Sequence, residues 1–142
     1  MSELRERLER ETELGASIGD GWWPYVEAAA TLLDAAYPGW KSGQIKEKFG
    51  GLRFYITPAP FRDKKEGDER DEIWYDDWAR RWYAEQEAIA DAAERACQNV
   101  CETCGKPAET KSVNYWIHTL CPEHFAQYEE ERTMRNLKTN AT

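Results

Sequence analysis

No stretch of this sequence approaches the roughly 18 consecutive apolar residues that would cross a bilayer, so no membrane-spanning helix is expected. Basic residues are scarce. Nineteen Lys and Arg stand against 27 Asp and Glu, a net charge of −8. A field of that sign repels nucleic acid and anionic membrane, so direct nucleic-acid binding is disfavoured. There is no Ser-His-Asp set, no Cys-His nucleophile pairing and no phosphate loop. Glu47, between Lys46 and Lys48, is the one carboxylate placed to do chemistry, and one residue is not a site. The expectation is therefore a non-enzymatic protein. Internal repeats and low-complexity tracts are also lacking. The opening Ser2-Glu3-Leu4-Arg5-Glu6 is too charged for a signal peptide. A cytoplasmic chain is expected, with reduced cysteines that favour metal over disulfides.

What is present is aromatic: seven Trp and seven Tyr in 142 residues, enough large rings to fill the core of a single domain. Charge is uneven along it. Residues 21–60 carry four bases against three acids, whereas 61–100 carry seven against twelve. Residues 1–20 read as a helical arm, leading into a connector rich in small residues from Gly15 to Gly21. Its charges pair at i,i+4 (Glu3 with Arg7, Glu6 with Arg10), and its thin stripe of Leu4 and Leu8 suits loose docking. A helix starts near Trp22, with Pro24 harmless in its first turn, and stops before Pro38-Gly39. Residues 44–57 alternate around a Gly50-Gly51 pair, which predicts a hairpin turning at those two glycines. Residues 61–70 read as a polar loop. A long helix over about 71–99 carries Trp74, Trp78, Trp82, Ile89, Ala93 and Ala96 as a core stripe. That helix could also complete a homo-oligomer core.

The C-terminal third holds the sharpest signal. Cys101-Glu-Thr-Cys104-Gly is followed by Cys121-Pro-Glu-His124, two pairs each with the two-residue spacing of a tetrahedral zinc site. The expected order is a knuckle at Cys101–Cys104, a strand over Val113–Leu120, and Cys121 with His124 starting a last helix to about residue 137. This is a treble-clef arrangement with structural Zn²⁺ over 101–137. Four good donors close the shell, and the His-x-Glu of nucleobase deaminases is missing, so the metal is read as structural. Cys97 and His118 stand near the set but outside its tight pairs; they read as a buried helix residue and a strand residue. The fold class expected is α+β, with helices on a small hairpin sheet over 21–100 and a C-terminal zinc finger.

With the turn at Gly50-Gly51, Lys48 faces Arg53 and Lys46 faces Tyr55. Lys46, Lys48, Arg53 and Tyr55 then share the outward face, while Ile45, Glu47, Phe49, Leu52, Phe54 and Ile56 face inward. Three cations beside a ring suit a phosphate, an anionic nucleotide or an acidic protein surface. The same residues also fit a solvated strand face that discourages edge pairing, or cations paired with acids of 66–77. The string Lys46-Glu-Lys-Phe-Gly-Gly-Leu-Arg-Phe-Tyr55 follows a Gly-Trp-Trp-Pro helix start and precedes Cys-Glu-x-Cys-Gly and Leu-Cys-x-x-His. Together these resemble a group of small phage and prophage proteins without an assigned activity. The resemblance covers about residues 21–57 and 88–126; Cys97 departs from it. It implies a host-takeover or counter-defence factor acting by stoichiometric binding. Two further readings stand beside that one. The first is an acidic mimic of nucleic acid using Glu66, Asp68, Glu69, Asp71, Glu72, Asp76 and Asp77. The second is a nucleic-acid-binding zinc finger.

Overall fold

The computed structural model describes residues 1–62, 72–113 and 115–140. Its elements run α1 (Glu3–Glu11), β1 (Ala16–Ser17), α2 (Trp23–Ala36), β2 (Lys41–Lys48), β3 (Gly51–Thr57) and α3 (Glu72–Ala96). A short 3-10 turn (Cys97–Asn99), β4 (Glu109–Val113), β5 (Trp116–Leu120) and α4 (Pro122–Asn140) complete the chain. The fold is α+β: a three-stranded sheet ordered β1-β2-β3, a two-stranded β4-β5 ribbon, and helices packed around them. The expected loop over 61–70 lies outside the described residues from Asp63 onward. Among the described residues no helix is long and apolar enough to cross a membrane.

The N-terminal arm is docked, contrary to expectation. Ser2 caps α1 by accepting the Arg5 N–H at 3.0 Å. Leu8 is 2% exposed, inside the core with Trp22 and Trp23. Arg5 reaches Asp20 at 2.9 Å and Arg7 reaches Asp34 at 2.7 Å, pinning the helix to the next two segments. The small-residue connector hides a strand. Ala16 and Ser17 run parallel to β2 opposite Ile45 and Lys46, an addition too short for any periodicity to reveal. Trp22 and Trp23 are both core residues, and the Trp22 indole N–H donates to the Val100 carbonyl at 2.7 Å.

α2 and α3 cover the inner sheet face. The buried α3 stripe is Gln86, Ala90 and Ala93, continued by Cys97 in the 3-10 turn, not the expected tryptophan run. Trp82 and Ile89 are partly buried, Ala96 is exposed, and Trp78 is 43% exposed. Small side chains let α3 approach β3 closely, and its polar ones close that sheet edge. Glu94 accepts the Phe54 N–H at 2.8 Å. Gln86 accepts the Ala59 N–H at 2.6 Å and donates to the Ala59 carbonyl at 3.1 Å. Edge groups that would otherwise template aggregation are thus satisfied internally.

The hairpin turns one residue earlier than its glycine pair suggests. Lys48 pairs with Gly51, Glu47 with Leu52, Lys46 with Arg53 and Gln44 with Tyr55. Phe49 (φ 53°) and Gly50 (φ 79°) take the two positive-φ positions of the turn, an uncommon cost for Phe. Tertiary docking decides this. Gly50 is buried against the β4-β5 ribbon; a Cβ there would meet methyls of Ile117 and Thr110 at 2.9 Å. Thr119 donates to the Gly50 carbonyl at 2.6 Å, and Glu47 accepts the Gly50 N–H at 2.8 Å. Thr119→Val should leave that carbonyl unpaired. The expected loss is about 1–3 kcal/mol of stability in urea, with ribbon amides exchanging faster than those of β2.

Candidate functional site

The four candidate metal ligands come from two local structures, a knuckle and a helix start, joined by a β-ribbon. Cys101 and Cys104 sit on a knuckle that closes when Gly105, at φ 81°, donates its N–H to the Cys101 carbonyl at 2.9 Å. β4 and β5 then carry the chain out and back. The first strand of that ribbon had no sequence signal, since Glu109-Thr-Lys-Ser-Val is polar and nearly all exposed. Cys121 caps α4, its carbonyl accepting the Phe125 N–H at 2.8 Å, and Pro122 opens the helix. His124 follows one turn later. α4 runs to Asn140, three residues beyond the expected end.

These elements bring Cys101, Cys104, Cys121 and His124 together, with their ligand atoms all within 4.8 Å of one another. Cys104 Sγ lies 3.8 Å from Cys121 Sγ, and His124 Nδ1 lies 3.7 Å from Cys101 Sγ and 3.2 Å from Cys121 Sγ. Ligand bonds of ~2.3 Å to sulfur and ~2.0–2.1 Å to nitrogen give tetrahedral edges of ~3.5–3.8 Å, so these separations suit one shared ion. Cys101 and Cys121 are buried beside Leu120, Phe125 and Tyr128. Burial pushes the Cys101 thiol up, but backbone N–H groups of Cys121, Cys104 and Thr103 outweigh it and bring the thiol down to about 6. Thiolate, the form that binds metal, is thus favoured at Cys101; at Cys104 a backbone bond from Lys106 lowers the thiol, but desolvation and the neighbouring Cys101 and Cys121 outweigh it and push the thiol up.

Cys97 and His118 lie apart from the set. Cys97 is fully buried in the main core, its thiol pushed up to about 12 by burial and by nearby Glu102 and Glu94. A thiol so hard to ionise is a small apolar side chain. The His118 ring packs 4.4 Å from Tyr128 on α4.

The knuckle is built into the domain. Gly19 and Gly21 lie flat on it: a Cβ on Gly21 would come within 2.1 Å of the Cys101 carbonyl oxygen and 2.4 Å of the Gly105 nitrogen. The Gly21 N–H donates to the Glu102 carbonyl at 2.8 Å, and the Gly19 N–H to the Glu102 carboxylate at 3.0 Å. Sequence reasoning took these glycines for a connector. Their spacing, Gly19-x-Gly21 just before buried Trp22, was the available sign of close backbone approach.

The cationic face survives the register change, because a slip of two in the pairing preserves which residues share a side. Lys46, Lys48, Arg53 and Tyr55 remain together, with Gln44 and Thr57. The pairing partners differ from expectation: Arg53 now opposes Lys46, and Tyr55 opposes Gln44. A bulge at Gly43 restores alternation beyond it and brings Lys41, opposite Thr57, onto the same face. Lys41 was missed because the strand was expected to begin at Gln44. Tyr55 is 46% exposed. Among the described residues no carboxylate pairs with Lys41, Lys46, Lys48 or Arg53; Lys48 instead lies over the Phe49 ring at 5.5 Å. No protein-family model matches this chain, and neither a curated protein nor a solved structure matches it.

Proposed function

We propose that this chain is a non-enzymatic binding protein whose C-terminal finger is closed by a structural zinc ion, and that it captures an anionic partner on the outer face of the β1-β2-β3 sheet. One observation carries the binding reading. Four cations, Lys41, Lys46, Lys48 and Arg53, share a solvent-facing surface with Tyr55 and no acid, in a chain of net charge −8. Arg53 directly opposite Lys46 costs stability, and that cost is unexplained unless the pair acts on something else. The metal reading rests on donor chemistry. Three thiolates and an imidazole in tetrahedral spacing favour zinc, and four donors leave no position for substrate. The partner class is an acidic host-protein surface or an anionic nucleotide. The phage-like strings around the hairpin and the knuckle support a host-takeover or counter-defence role.

The acidic-mimic reading has less to stand on. Glu66, Asp68, Glu69 and Asp71 lie outside the described residues, and the exposed Asp76 and Asp77 near the start of α3 complement the helix dipole. For the finger as a nucleic-acid reader, the first half of α4 carries Glu123, Glu129, Glu130 and Glu131, which opposes approach to phosphate.

The test is retention from bacterial lysate by the wild type and by Lys46→Glu and Arg53→Glu, with mass spectrometry of protein and small-molecule fractions. Expected is one species held by the wild type, released by added salt and lost from both variants. Each reversal also turns a like-charge pair into an ion pair, so thermal stability should hold or rise by about 0.2–1 kcal/mol. Binding lost while stability rises is what a functional face gives. An unchanged retained set would overturn the proposal.

A further inference from the structure

Helix α4 is 19 residues long and buries none of them. Its first three turns touch the finger: Phe125 and Tyr128 pack on Cys101, Leu120 and Cys121, and the Arg132 guanidinium lies over the Trp116 ring at 5.6 Å. Residues 133–140 extend beyond that contact for about 12 Å. A helix this polar on every side draws little stability from propensity alone and gains most from a partner surface. Met134 is 53% exposed and Leu137 is 59% exposed on this stretch.

Its charges are ordered. Glu129, Glu130 and Glu131 come first, Met134 stands at the centre, and Arg135 and Lys138 follow; Arg132, between the acids and Met134, lies over Trp116 instead. Glu130, Glu131, Met134, Arg135 and Lys138 line one shallow concave face, with the acids at one end and the bases at the other. Among the described residues Glu130, Glu131, Arg135 and Lys138 form no ion pair, although the i,i+4 spacing of Glu131 and Arg135 would allow one. A stripe that is acidic at one end, basic at the other and apolar between is complementary to itself run antiparallel.

From this we infer that a second copy of this chain docks antiparallel along α4, with a two-fold axis near Met134. Glu130 and Glu131 of each copy then face Lys138 and Arg135 of the other, and the two Met134 side chains meet on the axis. Such an interface is isologous, and closed pairs follow from it. Two helices of about three turns bury less than the ~1,200–2,000 Å² of a stable complex, so association is micromolar or weaker and falls with salt. This inference is independent of the sheet-face reading, which uses the opposite part of the chain and neither needs nor forbids a dimer.

Sedimentation equilibrium on the full metal-loaded chain, over ~10–500 µM, tests it through two exposed substitutions. In an antiparallel homodimer Glu130→Lys sets a lysine against Lys138 at both ends, and Lys138→Glu sets a glutamate against Glu130 at both ends. Each variant alone should self-associate at least about tenfold more weakly than the wild type. Mixed in equal amounts they should form a heterodimer, because each then meets its complement at both ends. Circular dichroism melts matching the wild type exclude loss of folding as the cause. A wild type monomeric across the range overturns the inference. So does a mixture that associates no better than its two components.

Discussion

Replacing Cys101 with Ser should remove the metal and unfold the C-terminal third. The substitution deletes the most buried ligand and leaves three donors around an ion that needs four. A structural zinc in a small finger contributes on the order of 10–16 kcal/mol, as large as the whole ~5–15 kcal/mol by which an ordinary domain is stable. The loss therefore cannot stay local. The knuckle carries Trp22 through Val100 and Gly21 through Glu102, so its collapse reaches α2 and the main core. Expected is loss of bound zinc, of β4-β5 amide protection and of most cooperative unfolding. Cys97→Ser, which is outside the cluster, should keep the zinc and cost only a core-packing increment of about 1–3 kcal/mol. Metal analysis beside thermal melts separates the two. Acid should act in the same direction as Cys101→Ser. The Cys101 thiol is depressed to about 6, so its ionised form favours the fold above the ordinary thiol range, and that contribution is lost as pH falls through about 6. Proton competition for the thiolates releases the ion over the same descent.

Gly21→Ala should be nearly as damaging, although it deletes nothing. The added methyl meets backbone on two sides, the Cys101 oxygen at 2.1 Å and the Gly105 nitrogen at 2.4 Å. Neither atom can swing away as a flexible side chain would, and both belong to the loop that holds two metal ligands. Relief requires Gly19–Trp22 to lift from the knuckle, which breaks the Gly21 N–H bond to Glu102 and the Trp22 bond to Val100. A loss of about 3–5 kcal/mol follows, at the top of the overpacking range, with Tm lower by roughly 10 °C or more. Gly15→Ala is the informative control. Gly15, unlike Gly21, has positive φ (94°) but nothing within 4 Å of its Cβ direction, so it should cost only the backbone term of about 1 kcal/mol. Chemical denaturation of the two variants side by side distinguishes close approach from turn conformation.

The metal set was legible because its chemistry is local. Two residues between ligands place both on one turn, and a Pro after Cys121 marks a helix start within the sequence itself. The α2 span and the division of the hairpin into a cationic and an apolar face were legible for the same reason, since periodicity is a property of neighbours. What escaped was set by contacts between distant segments. The hairpin turn sits at Phe49-Gly50 because Gly50 must fit beneath Ile117 and accept from Thr119, some 70 residues away. The tryptophan run of α3 reads as core by spacing, yet β3 ends at Thr57 and offers no sheet for Trp74 and Trp78 to cover. Nothing in the helix periodicity marks Glu94 as closing the β3 edge at Phe54, or Gln86 as holding Ala59 just beyond that strand. The two-residue β1 exists only because β2 lies beside it.

X-ray absorption at the zinc edge of the purified full-length protein tests the closed clamp most directly. Expected is one zinc per chain with three sulfurs at ~2.3 Å, one nitrogen at ~2.0–2.1 Å and no oxygen neighbour. A coordinated water, fewer than three sulfurs or an absence of tightly held zinc would contradict a structural clamp and reopen the site to chemistry.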